Sequence, residues 1–209
     1  MKQTVELCLR NRNKIAAIVP YRKTDGETGT VVHFTNGTHA LLPGRRCKWL
    51  AEHLAGYHST TLKDASQKSS SILGEGALKK PPLWLSHDIC LVQAKFPTDT
   101  GRYSSTIGYI VVQKILIVEE CEGGSRIRLR GKCPDIISCQ RKRSIEQQRQ
   151  LARKLIEIHY RYRMRHLNQR AESDEGPLMP PAPFMEFELT HDTYDDYDDY
   201  EDYDYDYYL

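Results

Sequence analysis

The chain has 209 residues, with 30 lysines and arginines against 28 aspartates and glutamates, and a formal net charge of only +2. That balance hides a division: residues 1–171 carry all thirty cations and fourteen acids, a net +16, while residues 172–209 carry fourteen acids and no cation, a net −14. No apolar run approaches the ~20 residues a membrane helix needs, and the opening Met1-Lys2-Gln3-Thr4-Val5-Glu6 lacks the apolar stretch of a signal peptide, so the expectation is a cytoplasmic protein without a membrane partner.

In chain order, residues 5–9 and 15–19 alternate as strands do, on either side of the polar turn at 10–14. Residues 30–35 and 38–42 are rich in β-formers and meet across Asn36-Gly37, a strong hairpin signal that predicts positive φ at both turn positions. Cys47, Leu50, Ala51 and Leu54 recur at helical spacing, which predicts a short helix near 45–55. Arg45, Arg46 and Lys48 lie around its first turn, where the helix dipole disfavours cations. An anionic ligand would explain them. Residues 59–78, rich in serine, glycine and lysine, read as a loop.

After Pro81-Pro82, residues 83–85 and 89–92 read as short strands, and 96–102 as a second loop. Residues 107–121 are the most apolar stretch and read as one long or bent strand. A Gly123-Gly124 turn leads to residues 126–130, where alternation places Arg126, Arg128 and Arg130 opposite Ile127 and Leu129. Ser144 and Gln147 have capping-box spacing and predict a long helix near 144–167, with Leu151, Leu155, Ile158 and Tyr162 as its apolar stripe. Arg149, Arg153, Lys154, Arg161, Arg163 and Arg165 ring its other faces. From residue 172 prolines and a Tyr/Asp-rich run leave no periodicity and too few aliphatics to offset the entropy of folding. The predicted fold is α+β: one basic body, 1–171, built mainly of antiparallel sheet, and a disordered acidic tail, 172–209.

The basic clusters are Arg45/Arg46/Lys48, Lys79/Lys80, Arg126/Arg128/Arg130 and Arg141/Lys142/Arg143. Any one of them alone would be ordinary solvated surface. Their sum points to a polyanion, because lysine and arginine release the counterions condensed on nucleic acid. With no helix-turn-helix signature, arginines on β elements and on the loop tips at 10–14 and 99–103 fit minor-groove reading. The six cysteines form no C-x-x-C pair and are expected to be reduced thiols. Cys47, His53 and His58 match no tight zinc spacing, so no metal or cofactor is expected. No Walker loop, G-x-S-x-G or H-E-x-x-H occurs, and the reading is not an enzyme.

The order of features from about residue 31 to 155 resembles the ComK family of competence transcription factors. The resemblance rests on Phe34-Thr35-Asn36-Gly37-Thr38, on Arg45-Arg46-Cys47 leading to Gly56-Tyr57, on Lys80-Pro81-Pro82-Leu83-Trp84, on Phe96-Pro97-Thr98 and on Gly108-Tyr109-Ile110. It implies a multimeric activator of competence genes that binds A·T-rich DNA through the minor groove, works with RNA polymerase at the nucleoid and is delivered by an adaptor to a Clp protease. By position, Phe184, Met185 and Phe187 resemble the adaptor-binding segment. The tail has three readings: a solubilising extension, an acidic–aromatic surface for transcription machinery, and a tethered mimic of nucleic acid that competes with DNA. The alternative function is a non-specific RNA- or ribosome-binding module with an autoinhibitory tail.

Overall fold

The most apolar strands of this chain alternate between two interiors, so both their faces must be covered. The structure, a computed structural model, describes residues 2–22, 26–74, 80–97 and 105–173. The elements are α1 (Lys2–Arg10), a 3-10 turn (Arg12–Lys14), β1 (Ile15–Arg22), β2 (Thr28–Phe34), β3 (His39–Pro43), α2 (Cys47–Tyr57), α3 (Leu62–Leu73), β4 (Leu83–Ser86), β5 (Ile89–Pro97), β6 (Ser105–Val111), a second 3-10 turn (Val112–Lys114), β7 (Ile115–Cys121), β8 (Gly124–Leu129), β9 (Ile136–Ser138) and α4 (Lys142–Ser173). The α+β expectation, mainly antiparallel with a long C-terminal helix, is the observed class.

Six strands form one antiparallel sheet in the order β3-β2-β1-β6-β5-β4. Its two halves join where Ala17 pairs with Ile110 and Ile18 with Tyr109. One face packs Ile15, Ile18, Leu42, Leu91, Tyr109 and Val111 against Cys8 of α1 and Leu50 and Leu54 of α2. The other packs Ala16, Ala17, Val92, Ala94, Phe96 and Ile110 against Ile127 and Leu129 of β8 and Ile145, Ala152 and Leu155 of α4. Strands β7-β8-β9 form a second, three-stranded sheet on that face. The elements up to Gln169 make one compact unit.

Several local expectations are corrected. Residues 5–9 are helical, because α1 turns Val5, Cys8 and Leu9 onto the first core and leaves Leu7 at the surface. Residues 59–78 are not a loop throughout: 62–73 form α3, whose N-cap Thr61 accepts from the Asp64 amide at 3.0 Å. Ala65 and Ser69 are the buried points of its stripe. Residues 107–121 are not one strand. The 3-10 turn breaks them, and the Gln113 side chain pins it by accepting from Cys90 N at 3.1 Å and donating to His87 O at 3.2 Å. In the β2–β3 hairpin only Gly37 has positive φ, at +88°, after a Gly37 N to Phe34 O bond of 3.0 Å. The loop is thus a turn followed by one left-handed glycine.

The capping box at Ser144 is also corrected. The helix starts at Lys142, and the Arg141 carbonyl accepts from Ser144 N and Ile145 N at 2.9 and 3.4 Å, so Ser144 sits inside the first turn. The buried face of α4 is Ile145, Gln148, Arg149, Ala152 and Leu155; Leu151 and Ile158 are half-buried and Tyr162 is 64% exposed. Arg149, expected on an outer face, is buried because its guanidinium serves the edge of β7. Its Nη2 donates to Ile115 O and Leu116 O at 2.9 Å each, beside the bulge between Ile115 and Ile117, and Nη1 pairs with Glu146 at 3.2 Å.

Candidate nucleic-acid interface

In β8 the predicted alternation holds. Ile127 and Leu129 are buried, Arg126 is exposed and Arg128 half-exposed. Register sets their neighbours. Arg126 lies between Glu119 of β7 and Ile137 of β9, and Arg128 lies opposite Ile117. Ile117 and Ile137 are 46% and 42% exposed, so the open face of this sheet mixes guanidiniums with bare aliphatic groups. Arg128 sits 3.9 Å from Glu119 and 3.7 Å from Asp135. Ion pairs this exposed stabilise by only about 0–1 kcal/mol, so they yield readily to phosphate.

Arg130 does not complete an open row. It follows β8, donates its amide to Lys114 O at 2.7 Å and buries its Nε. It lies close enough to α4 to act on Arg153, whose guanidinium burial holds below the ordinary arginine range; Arg149 and Arg130 add to that and Glu146 opposes it. Arg141, Lys142 and Arg143 are exposed at the entry to α4. Gln140, just before them, is anchored twice: its side chain accepts from Lys95 N at 3.0 Å and its carbonyl accepts from the Ser125 hydroxyl at 2.5 Å. That places this cluster beside the end of β8 that carries Arg126. Lys80 is exposed ahead of β4. Lys79, the 99–103 loop tip, Phe184, Met185, Phe187 and the Tyr/Asp run lie outside the described residues.

Arg45, Arg46 and Lys48 stand apart from this group. They lie at the start of α2, which packs on the opposite face of the large sheet. Arg46 is the N-cap residue and makes no side-chain capping bond; Lys48 pairs with Glu52 at 3.7 Å. The Arg45 guanidinium lies 4.7 Å over the ring of Trp49. Among the described residues the basic clusters thus divide between two surfaces. Sequence reading missed the aromatic members of the second, although Trp49, His53 and Tyr57 recur at i, i+4 and i+8, beside the buried 47/50/51/54 stripe, with Trp49 half-buried at its margin.

The metal candidates separate. Cys47 is buried, takes a 3.5 Å contact from the Thr30 hydroxyl and has its thiol pushed up to about 11 by burial, whereas His53 lies exposed on the other side of the helix. Among the described residues no group of three or more His, Cys, Asp or Glu side chains could hold a metal ion. All six cysteines are free thiols. No helix of the described residues is long and apolar enough to cross a membrane. Compared with protein-family models, with curated proteins and with solved structures, the chain finds no match in any of the three.

Proposed function

We propose that this protein is a DNA-binding transcription activator of the competence-regulator type, reading A·T-rich DNA through the minor groove with the open face of the three-stranded sheet. The observation that carries the reading is Arg126 and Arg128 standing among exposed Ile117 and Ile137 in a body of charge +16. Minor-groove proteins use that chemistry: cationic side chains enter the narrow, strongly negative groove, and aliphatic side chains wedge between base steps. Arg141, Lys142 and Arg143 beside that face would meet backbone phosphate. Multimerisation, contact with RNA polymerase, nucleoid localisation and adaptor recognition through Phe184, Met185 and Phe187 rest on the family resemblance alone.

Fluorescence anisotropy against an A·T-rich duplex, a G·C-rich duplex and structured RNA tests this. With about six phosphates engaged, log K should fall with log salt at a slope near −5. Arg126→Ser/Arg128→Ser should lower A·T-duplex affinity at least tenfold, flatten the slope by about 2 and leave the Tm nearly unchanged. Equal affinity for G·C-rich duplex, or an unchanged double variant, would refute minor-groove reading. Preference for structured RNA would move the RNA-binding module ahead.

A further inference from the structure

We infer that the exposed face of α2 is a second binding surface, a cation–aromatic ladder that takes single-stranded nucleic acid by base stacking. Arg45 lies 4.7 Å over Trp49, and the Trp49 and His53 rings are 3.9 Å apart at 42°. Tyr57 follows one turn on, and Arg12, from the 3-10 turn before β1, lies 4.3 Å over its ring. The core of this helix is on its other side, at Cys47, Leu50, Ala51, Leu54 and Ala55. Trp49 is half-buried and packs against that core, but packing does not account for His53 or Tyr57, which are exposed. Tyr57 is 51% exposed, His53 is exposed, and the His53 Nδ1 is engaged with Trp49 O at 2.9 Å, which fixes the ring. The surrounding charge is mainly positive. Arg12, Arg45, Arg46 and Lys48 stand around the rings; of the acids, Glu52 is paired with Lys48 and Asp88 acts on His58 beside Tyr57.

Rings interleaved with guanidiniums supply the two components that bind single strands: a π face for each base and cations for the backbone. A duplex hides its base faces inside the stack and offers only groove edges and phosphates, so it cannot use the rings. The ladder also lies across the large sheet from Arg126 and Arg128. This surface is independent of the minor-groove reading, and either can fail without the other.

The experiment uses the full chain with labelled oligothymidylate, oligouridylate, an abasic strand of equal length and an A·T-rich duplex. His53→Ala/Tyr57→Ala should weaken oligothymidylate binding about tenfold or more, since one stacked base contributes ~1–3 kcal/mol. His53→Phe/Tyr57→Phe should retain it, and duplex affinity should not move. In a Trp84→Phe background, which leaves Trp49 as the only tryptophan, oligothymidylate should quench the fluorescence and the abasic strand should not. The ratio of the thymidylate and uridylate affinities identifies DNA or RNA as the source. Equal binding of the abasic strand, unchanged affinity in the alanine variant, or an equal loss on duplex would overturn the inference. So would a change in oligomeric state with no change in oligothymidylate affinity, which would make the ladder a protein interface.

Discussion

Arg149→Ala should be among the most destabilising single changes in α4. The side chain is 11% exposed, and its Nη2 donates to both Ile115 O and Leu116 O. Hydrogen bonds from a charged donor are worth ~1.5–3 kcal/mol each, and a buried carbonyl left without a donor forfeits them in full. The Glu146 pair adds a little, because Glu146 is 29% exposed. Against this, removing one guanidinium relieves repulsion with Arg153, but that side chain is only partly buried, and the relief is under ~1 kcal/mol. The net cost is about 3–5 kcal/mol. At ~2–4 °C per kcal/mol for a chain of this size, Tm falls by roughly ten degrees. Arg149→Met, which keeps the packing of the stem, should cost nearly as much; Arg149→Lys, with a single charged nitrogen, should recover about half. Urea denaturation followed by circular dichroism reads all three. A cost below ~1 kcal/mol for Arg149→Ala, or a Met variant close to wild type, would show that the two carbonyls do not depend on this side chain.

Two further outcomes follow from the geometry. Gly131→Ala should cost more than ~2 kcal/mol in the same assay: Gly131 has φ of +82°, and a Cβ there would stand 1.9 Å from Thr35 O, where the two sheets meet; a cost under ~1 kcal/mol would show that this junction can shift. Stability should also fall between pH 7.5 and 5.5. His33, His58 and His159 are held below the ordinary histidine range, first by burial and then by neighbouring positive charge from His39, from Arg12 and His87 (with Asp88 opposing), and from Lys68 respectively. Their unfolded forms therefore take up protons first, near pH 6.5, and the stability present above that value is lost as pH falls toward the folded values. His159→Phe, which keeps the parallel stack on Trp84 at 3.7 Å, should flatten this dependence; an equal loss in the variant would refute it.

Local signals carried part of this fold. Asn36-Gly37 marked its hairpin because turn chemistry acts within four residues, and the α2 stripe was legible because all its apolar positions face one core. The misread segments were short and ambiguous. Val5, Leu7 and Leu9 alternate as a strand would, and only the burial of Cys8 with its neighbours selects a helix. In α3 the serines hid a stripe whose local sign was the Thr61-x-x-Asp64 cap. Division of residues 107–121 between two sheets depends on Gln113 reaching Cys90 and His87, contacts no local window contains. The arginine alternation of β8 was plain in the sequence. The placement of Arg130 and Arg149 was not, because nothing about an arginine in an arginine-rich segment reveals which one finds a strand edge to serve.

The double burial of the large sheet also sets an order of events during synthesis. Strands β1, β2 and β3, with α1 and α2, can assemble as soon as they emerge, since their pairings are local. The joining pair, Ala17 with Ile110, waits for most of the body to be made, and its second cover, α4, comes later still. Until then Ala16 and Ala17 line a bare apolar face beside unpaired strand edge, the kind of intermediate that aggregates. A nascent chain of this protein is therefore most vulnerable between the assembly of β1 with β2 and the docking of Leu155. Slow translation through that window would lengthen the exposure, not relieve it.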